Sequence, residues 1–164
     1  MDFLLWLEAT SIGTFVRESP SLWAYPSVLF FHSIGLALLV GISAAIDLRV
    51  LGFVRDIPLK PLARMIPLIW IGFLVNAISG VMLILASAST LLVNPTFWVK
   101  MVFVAAAVVT ILLIDKRVFA ADVDDQTLPK ESKILASASL FCWTAAIVSG
   151  RLIAYLAPDI NFLL

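Results

Sequence analysis

The chain has 164 residues, of which 62% are apolar and 13% charged, with a formal net charge of zero. Soluble domains carry roughly 25% charged residues, and this chain has too little polar surface to cover so much apolar bulk in water. An ordinary soluble domain is excluded, the balanced charge offers nothing to nucleic acid, and the single cysteine, Cys142, allows no internal disulfide.

Met1-Asp2-Phe3 lacks the basic region of a cleaved signal. The stretch 3–15, with Leu4, Leu5, Trp6 and Leu7, predicts a short amphipathic helix at the membrane interface, ended by Ser19-Pro20-Ser21. A hydrocarbon core of roughly 30 Å needs about 20 helical residues. Residues 24–46 supply a first span, with Pro26 tolerated in the opening turn. The uncharged stretch 65–99 is too long for one helix; Ser87-Ala88-Ser89-Thr90 and Asn94-Pro95 divide it into spans at 65–86 and 95–114. Asn94 is a natural N-cap with Pro95 at the first helical position. A fourth span covers 134–156, ending before Pro158. None of these runs has the alternating polar face of a barrel strand. The expected fold is therefore all-α: a single polytopic membrane domain over 1–164, an antiparallel four-helix transmembrane bundle with a short N-terminal interfacial helix.

Arg49, Arg55, Lys60 and Arg64 follow the first span, and Lys116, Arg117, Lys130 and Lys133 follow the third; the other side offers only Arg17. The positive-inside rule makes both basic loops cytoplasmic and turns both termini to the outer side. Trp23, Tyr25, Trp98 and Tyr155 then form a belt at the outer ends. Two small-residue stripes offer close helix approach: Ser33, Ala37, Gly41 and Ala45 in span one, and Gly72, Asn76 and Gly80 in span two. Short connections make sequential helices neighbours. Asp47 and Arg49, with Arg55 and Asp56, read as a charged collar at the cytoplasmic boundary, and Asp122, Asp124 and Asp125 as a solvated loop.

His32, the only histidine, lies inside the first span. An ionisable ring within a membrane span marks a functional group by default. By helical rise His32 is roughly 12 Å, and Lys100 and Arg151 each roughly 7 Å, below the same face. No acidic residue of the spans sits at that level to pair with the two cations, which suits an anionic ligand. Haem b fits this spacing: His32 would bind the iron, Lys100 and Arg151 would hold the propionates, and Asn76, with Ser79 beside it, would bond across helices or to the ligand. Met82 and Met101 lie near the outer ends but neither is an obvious second axial ligand. The plainer readings are that Lys100 and Arg151 snorkel to headgroups and that His32 bonds Asn76 or a backbone carbonyl as a packing residue.

The string Phe31-His32-Ser33-Ile34-Gly35-Leu36-Ala37, followed by Asp47-Leu48-Arg49-Val50-Leu51-Gly52, resembles a family of uncharacterised bacterial four-helix membrane proteins. More distantly it is similar to the copper-resistance D domain and to the haem-dependent membrane protoporphyrinogen oxidase. The matching positions are His32, Arg49 and Phe97-Trp98-Val99-Lys100, within spans one to three. The resemblance implies haem ligation by His32, with Lys100 and Arg49 as polar partners; Arg49 falls at the far end of its helix from His32. The copper-importing relatives use further histidines and methionines that this chain lacks.

Three functions stay open. One is a haem b-binding redox protein exchanging electrons with a quinone, a porphyrin-like substrate or a periplasmic partner. Another is a copper or small-solute permease. The third is a non-catalytic subunit of a larger membrane complex; a homo-oligomer is also compatible with the small-residue faces. No nucleophile–base pair, carboxylate dyad or phosphate loop marks an enzyme.

Overall fold

The computed structural model describes residues 2–19, 23–119 and 128–156. Every regular element among them is helical. The short helices α1 (Asp2–Glu8) and α2 (Ser11–Glu18) precede the long α3 (Ala24–Leu51). A one-turn α4 (Leu59–Ala63) leads into α5 (Ile66–Ala86), and α6 (Ala88–Leu91) leads into α7 (Pro95–Ile114). After a π-helical turn at Asp115–Phe119 the chain returns as α8 (Lys130–Leu156). Four helices are long and apolar enough to cross a membrane, so the chain is an all-α, multi-pass membrane protein. Asp122, Asp124, Asp125, Pro158 and Asp159 lie outside the described residues.

Local chemistry sets the helix ends. Gly52 closes α3 in the left-handed region at φ 93°, where a side chain would be strained, and its N–H donates to the carbonyls of Leu48 and Arg49. The Asn94 side chain accepts from the Thr96 N–H at 2.9 Å and caps α7, with Pro95 next. The single N-terminal helix expected over 3–15 is instead two. Thr10 breaks it, taking an extended conformation and accepting from the Gly13 N–H at 3.3 Å to start α2. Phe3, Leu5 and Trp6 of α1 stay exposed, as an interfacial element requires.

Helix α3 is the centre of the bundle, with α5 on one side and α8 on the other, and α7 packs on α8. Spans two and three are joined by a short link, yet α5 and α7 are not among the pairs that pack closely within the described residues. Close packing goes instead where side chains are smallest. A Cβ on Gly35 would fall 2.8 Å from the Gly72 carbonyl oxygen and 2.7 Å from the Asn76 nitrogen, so α3 and α5 touch backbone to backbone. On α8 the buried positions Ser132, Ala136, Ser139, Trp143, Ala146, Ser149 and Ile153 recur every three or four residues, all small except Trp143 and Ile153.

The stripe Gly72, Asn76 and Gly80 faces α3 as expected. The stripe Ser33, Ala37, Gly41 and Ala45 does not face the bundle: all four are exposed, and Gly41 has open space around it. Helix α3 turns its other face inward, placing Gly35, Leu39, Ile42 and Ile46 in the interior.

The two ends of the bundle differ. The end carrying Arg49, Arg55, Lys60 and Arg64, here the basic end, holds the main core, where Ile46, Val50, Ile69, Ile111, Ile114 and Val118 meet Trp143. The opposite end, carrying α1, α2 and α6, has a smaller cluster of Val16, Val28 and Ala86, packed by Tyr25, Met82 and Leu83.

Candidate functional site

His32 points at α5. Its Nδ1 lies 3.1 Å from the backbone oxygen of Asn76 and 3.0 Å from the Ser79 hydroxyl oxygen. A carbonyl only accepts, so Nδ1 carries the proton. The Ser79 hydroxyl is free to accept because its own proton goes to the Val75 carbonyl at 2.6 Å. In the neutral ring this leaves Nε2 as the nitrogen with a lone pair, and no protein partner engages it among the described residues. A metal-ligating histidine is usually fixed in this way, with the second nitrogen donated to a carbonyl. The clasp is reciprocal, since Asn76 Nδ2 donates to the His32 carbonyl at 2.9 Å. Gly80 makes room for the ring: a Cβ there would stand 3.3 Å from His32 Cε1.

Lys100 is half-buried and lies across α8, with its ammonium 3.6 Å from where a Gly150 Cβ would stand. It is within electrostatic reach of His32. It has no carboxylate or carbonyl partner among the described residues. Arg151 is exposed, and its guanidinium sits 5.6 Å from the centre of the Tyr155 ring. Consecutive helix residues do not share a face, so the position after Gly150 turns away from the lysine. The structure thus brings His32, Asn76, Ser79 and Lys100 into the half of the bundle nearest α1 and α2, and leaves Arg151 at its surface. Met82 packs into the small cluster at that end, and Met101 is exposed.

A largely apolar groove of about 500 Å³ runs between α2, α3 and α5, lined by Phe15, Trp23, Phe31, Val75 and Met82. Ser79 also lines it, so the groove and the histidine share one hydroxyl. Below it, Glu8 is buried and accepts from the Ser89 N–H at 2.7 Å, the Ser89 hydroxyl at 2.6 Å and Arg17 at 3.1 Å. Burial alone would raise the Glu8 carboxyl; the Ser89 and Arg17 bonds together outweigh it and hold the group below the usual glutamate value.

Arg49 belongs to a different place. It is 17 residues along α3 from His32, about 25 Å at helical rise, and its side chain bonds the Ile57 carbonyl. It borders a second cavity of about 490 Å³ with Arg55, Asp56 and Lys133 at the basic end.

Asp47 departs furthest from the sequence reading. Expected in a charged collar at the cytoplasmic boundary, it is 1% exposed, inside the bundle. Only the angular placement of Asp47 on α3 could have signalled this: it follows the buried Leu39, Ile42, Ser43 and Ile46 at helical spacing. No cluster of three or more histidine, cysteine or carboxylate side chains suited to a metal occurs among the described residues.

Residues 3–156 match a family of unknown function. The chain belongs to that family, DUF6644. The match covers all four spans and both helices that precede them. No curated protein and no solved structure matches the chain.

Proposed function

We propose that this DUF6644 chain is a haem b-binding redox protein of a bacterial inner membrane. The observation that carries the reading is the state of His32: one ring nitrogen committed to Asn76 and Ser79, the other unengaged, with an unpaired lysine nearby. These residues fit the group. Nε2 of His32, whose tautomer and orientation are fixed by α5, would hold the iron, and Lys100 would supply the charge that a propionate needs. Bound haem would supply a one-electron iron couple.

The chain's own residues do the rest. Asn76 and Ser79 hold the imidazole against rotation, Gly80 and Gly150 leave space for His32 and Lys100, and Phe31 and Val75 keep the neighbouring groove dry. That groove suits an apolar ring such as a quinone or a porphyrin-like substrate, with Ser79 as the polar group at its wall. Arg151, at the surface beside Tyr155, serves the headgroup region rather than the ligand. The basic loops face the cytoplasm and both termini the periplasm. A copper path has only one histidine and, among the described residues, no cluster of histidine, cysteine and carboxylate side chains to support it.

The test is the absorbance spectrum of protein purified from haem-replete cells. A Soret band that disappears in His32→Ala is expected; a colourless, well-folded preparation contradicts the reading. One observation favours a second role as a subunit of a larger assembly: the outward stripe around Gly41 is open and small enough for another helix. Co-purification of a partner that is lost in Gly41→Leu would establish it.

A further inference from the structure

Asp47 is buried with its Oδ2 unpartnered. From α8, Ser139, 0% exposed, reaches the carboxyl, and Trp143, 1% exposed, lies one turn further along the same helix. The Ser139 hydroxyl comes close to the carboxyl without making an aligned hydrogen bond, and its oxygen and the Trp143 indole nitrogen are also buried without partners. Ser139 and Trp143 are one turn apart on the face that α8 presents to the interior. Three orphaned polar atoms in one apolar core are costly unless something mobile satisfies them. Asp47 also lines a small cavity, with room for one water-sized occupant, bounded by Ser43, Ile66, Ile69, Ile111 and Asp115.

The charged surroundings are sparse. From α5 the cavity meets only Ile66 and Ile69, and from the end of α7 it meets the half-buried Asp115. The buried face of α8 brings Ser139 and Trp143 and no ionisable group. On α3 itself Arg49, two residues on, is engaged at the Ile57 carbonyl. No ion pair compensates Asp47 among the described residues. Uncompensated carboxyls inside membrane bundles mark proton relays.

We propose that Asp47 is a proton-binding site inside the bundle, exchanging its proton with the basic end through the cavity it shares with Asp115. In the protonated form the carboxyl O–H bond is intact. On release that bond breaks, the proton passes to a water in the cavity and then to Asp115, and the remaining carboxylate is met by the Ser139 hydroxyl. Nothing is oxidised or reduced. The site is independent of His32, which lies about four turns away on α3.

The experiment is infrared absorbance of the purified full chain in detergent, titrated with pH in H2O and D2O. A carboxylic-acid carbonyl band that titrates, shifts on deuteration and vanishes in Asp47→Asn is expected, with Ser139→Ala moving its frequency. A band that survives Asp47→Asn, or a midpoint that moves with sodium concentration, overturns the proposal. Should Asp47→Asn fail to fold, Ser139→Ala decides: an unchanged frequency overturns it.

Discussion

Near its first turns α3 gives His32 to α5 in a satisfied clasp, each residue donating to the other's carbonyl. Fifteen residues later the same helix gives Asp47 to α8 among atoms that find no partner. The first region is half-open, bordered by an apolar groove and a single lysine. The second is closed inside the main core. The difference teaches how one helix can serve two tasks. A rigid polar node beside a groove orients a ligand, whereas an under-satisfied carboxyl in a tight core invites a mobile proton or water.

The largest expected effect comes from the contact that fixes both regions. Gly35→Leu puts a side chain into the α5 backbone and should cost about 3 kcal/mol or more, seen as a lowered thermal unfolding midpoint in detergent. Gly41→Leu, into open space, should leave that midpoint unchanged in the isolated chain. Equal effects would mean the assignment of the inner face of α3 is wrong.

Next, Lys100→Ala should weaken haemin binding about tenfold or more, as expected for a lost charge-assisted contact, while Arg151→Ala should leave it within error. Absorbance titration of the two variants separates the buried cation from the exposed one. A smaller effect is expected of Asn76→Ala, roughly 0.6 kcal/mol of stability for an interhelical bond in a membrane protein, measured by unfolding in the same detergent.

The smallest effect is confined to the N-terminal helices. Glu8 has a depressed folded-state pKa, so its contribution is present above the ordinary glutamate value of 4.5 and is lost as pH falls through the folded value below it. The protection of α1 amides against hydrogen exchange, relative to their intrinsic rates, should therefore fall in acid, and Glu8→Gln should remove that pH dependence.

Span positions were legible because length and hydropathy alone fix them: the expected 95–114 coincides with Pro95–Ile114, capped by Asn94 as its sequence requires. The His32–Asn76 pairing is legible too, as one of two readings of the lone histidine opposite Asn76 on the next span. Helix rotation was not. In a span that is apolar all round, both sides of α3 look alike, and the sequence offers the stripe through Gly41 for close helix approach although Gly35 makes the contact with α5. The same ambiguity hid Asp47, whose charge argues for a boundary while its angular position puts it inside. Lys100 and Arg151 share a depth, yet only their azimuth separates a residue lying over Gly150 from one against Tyr155.

The measurement that tests the division most directly is a pair of absorbance spectra, His32→Ala beside Asp47→Asn, each purified from haem-replete cells with the native chain as reference. Pigment in the native protein and in Asp47→Asn, with none in His32→Ala, is the predicted result. Pigment retained in His32→Ala, or absent from a folded native chain, would contradict it.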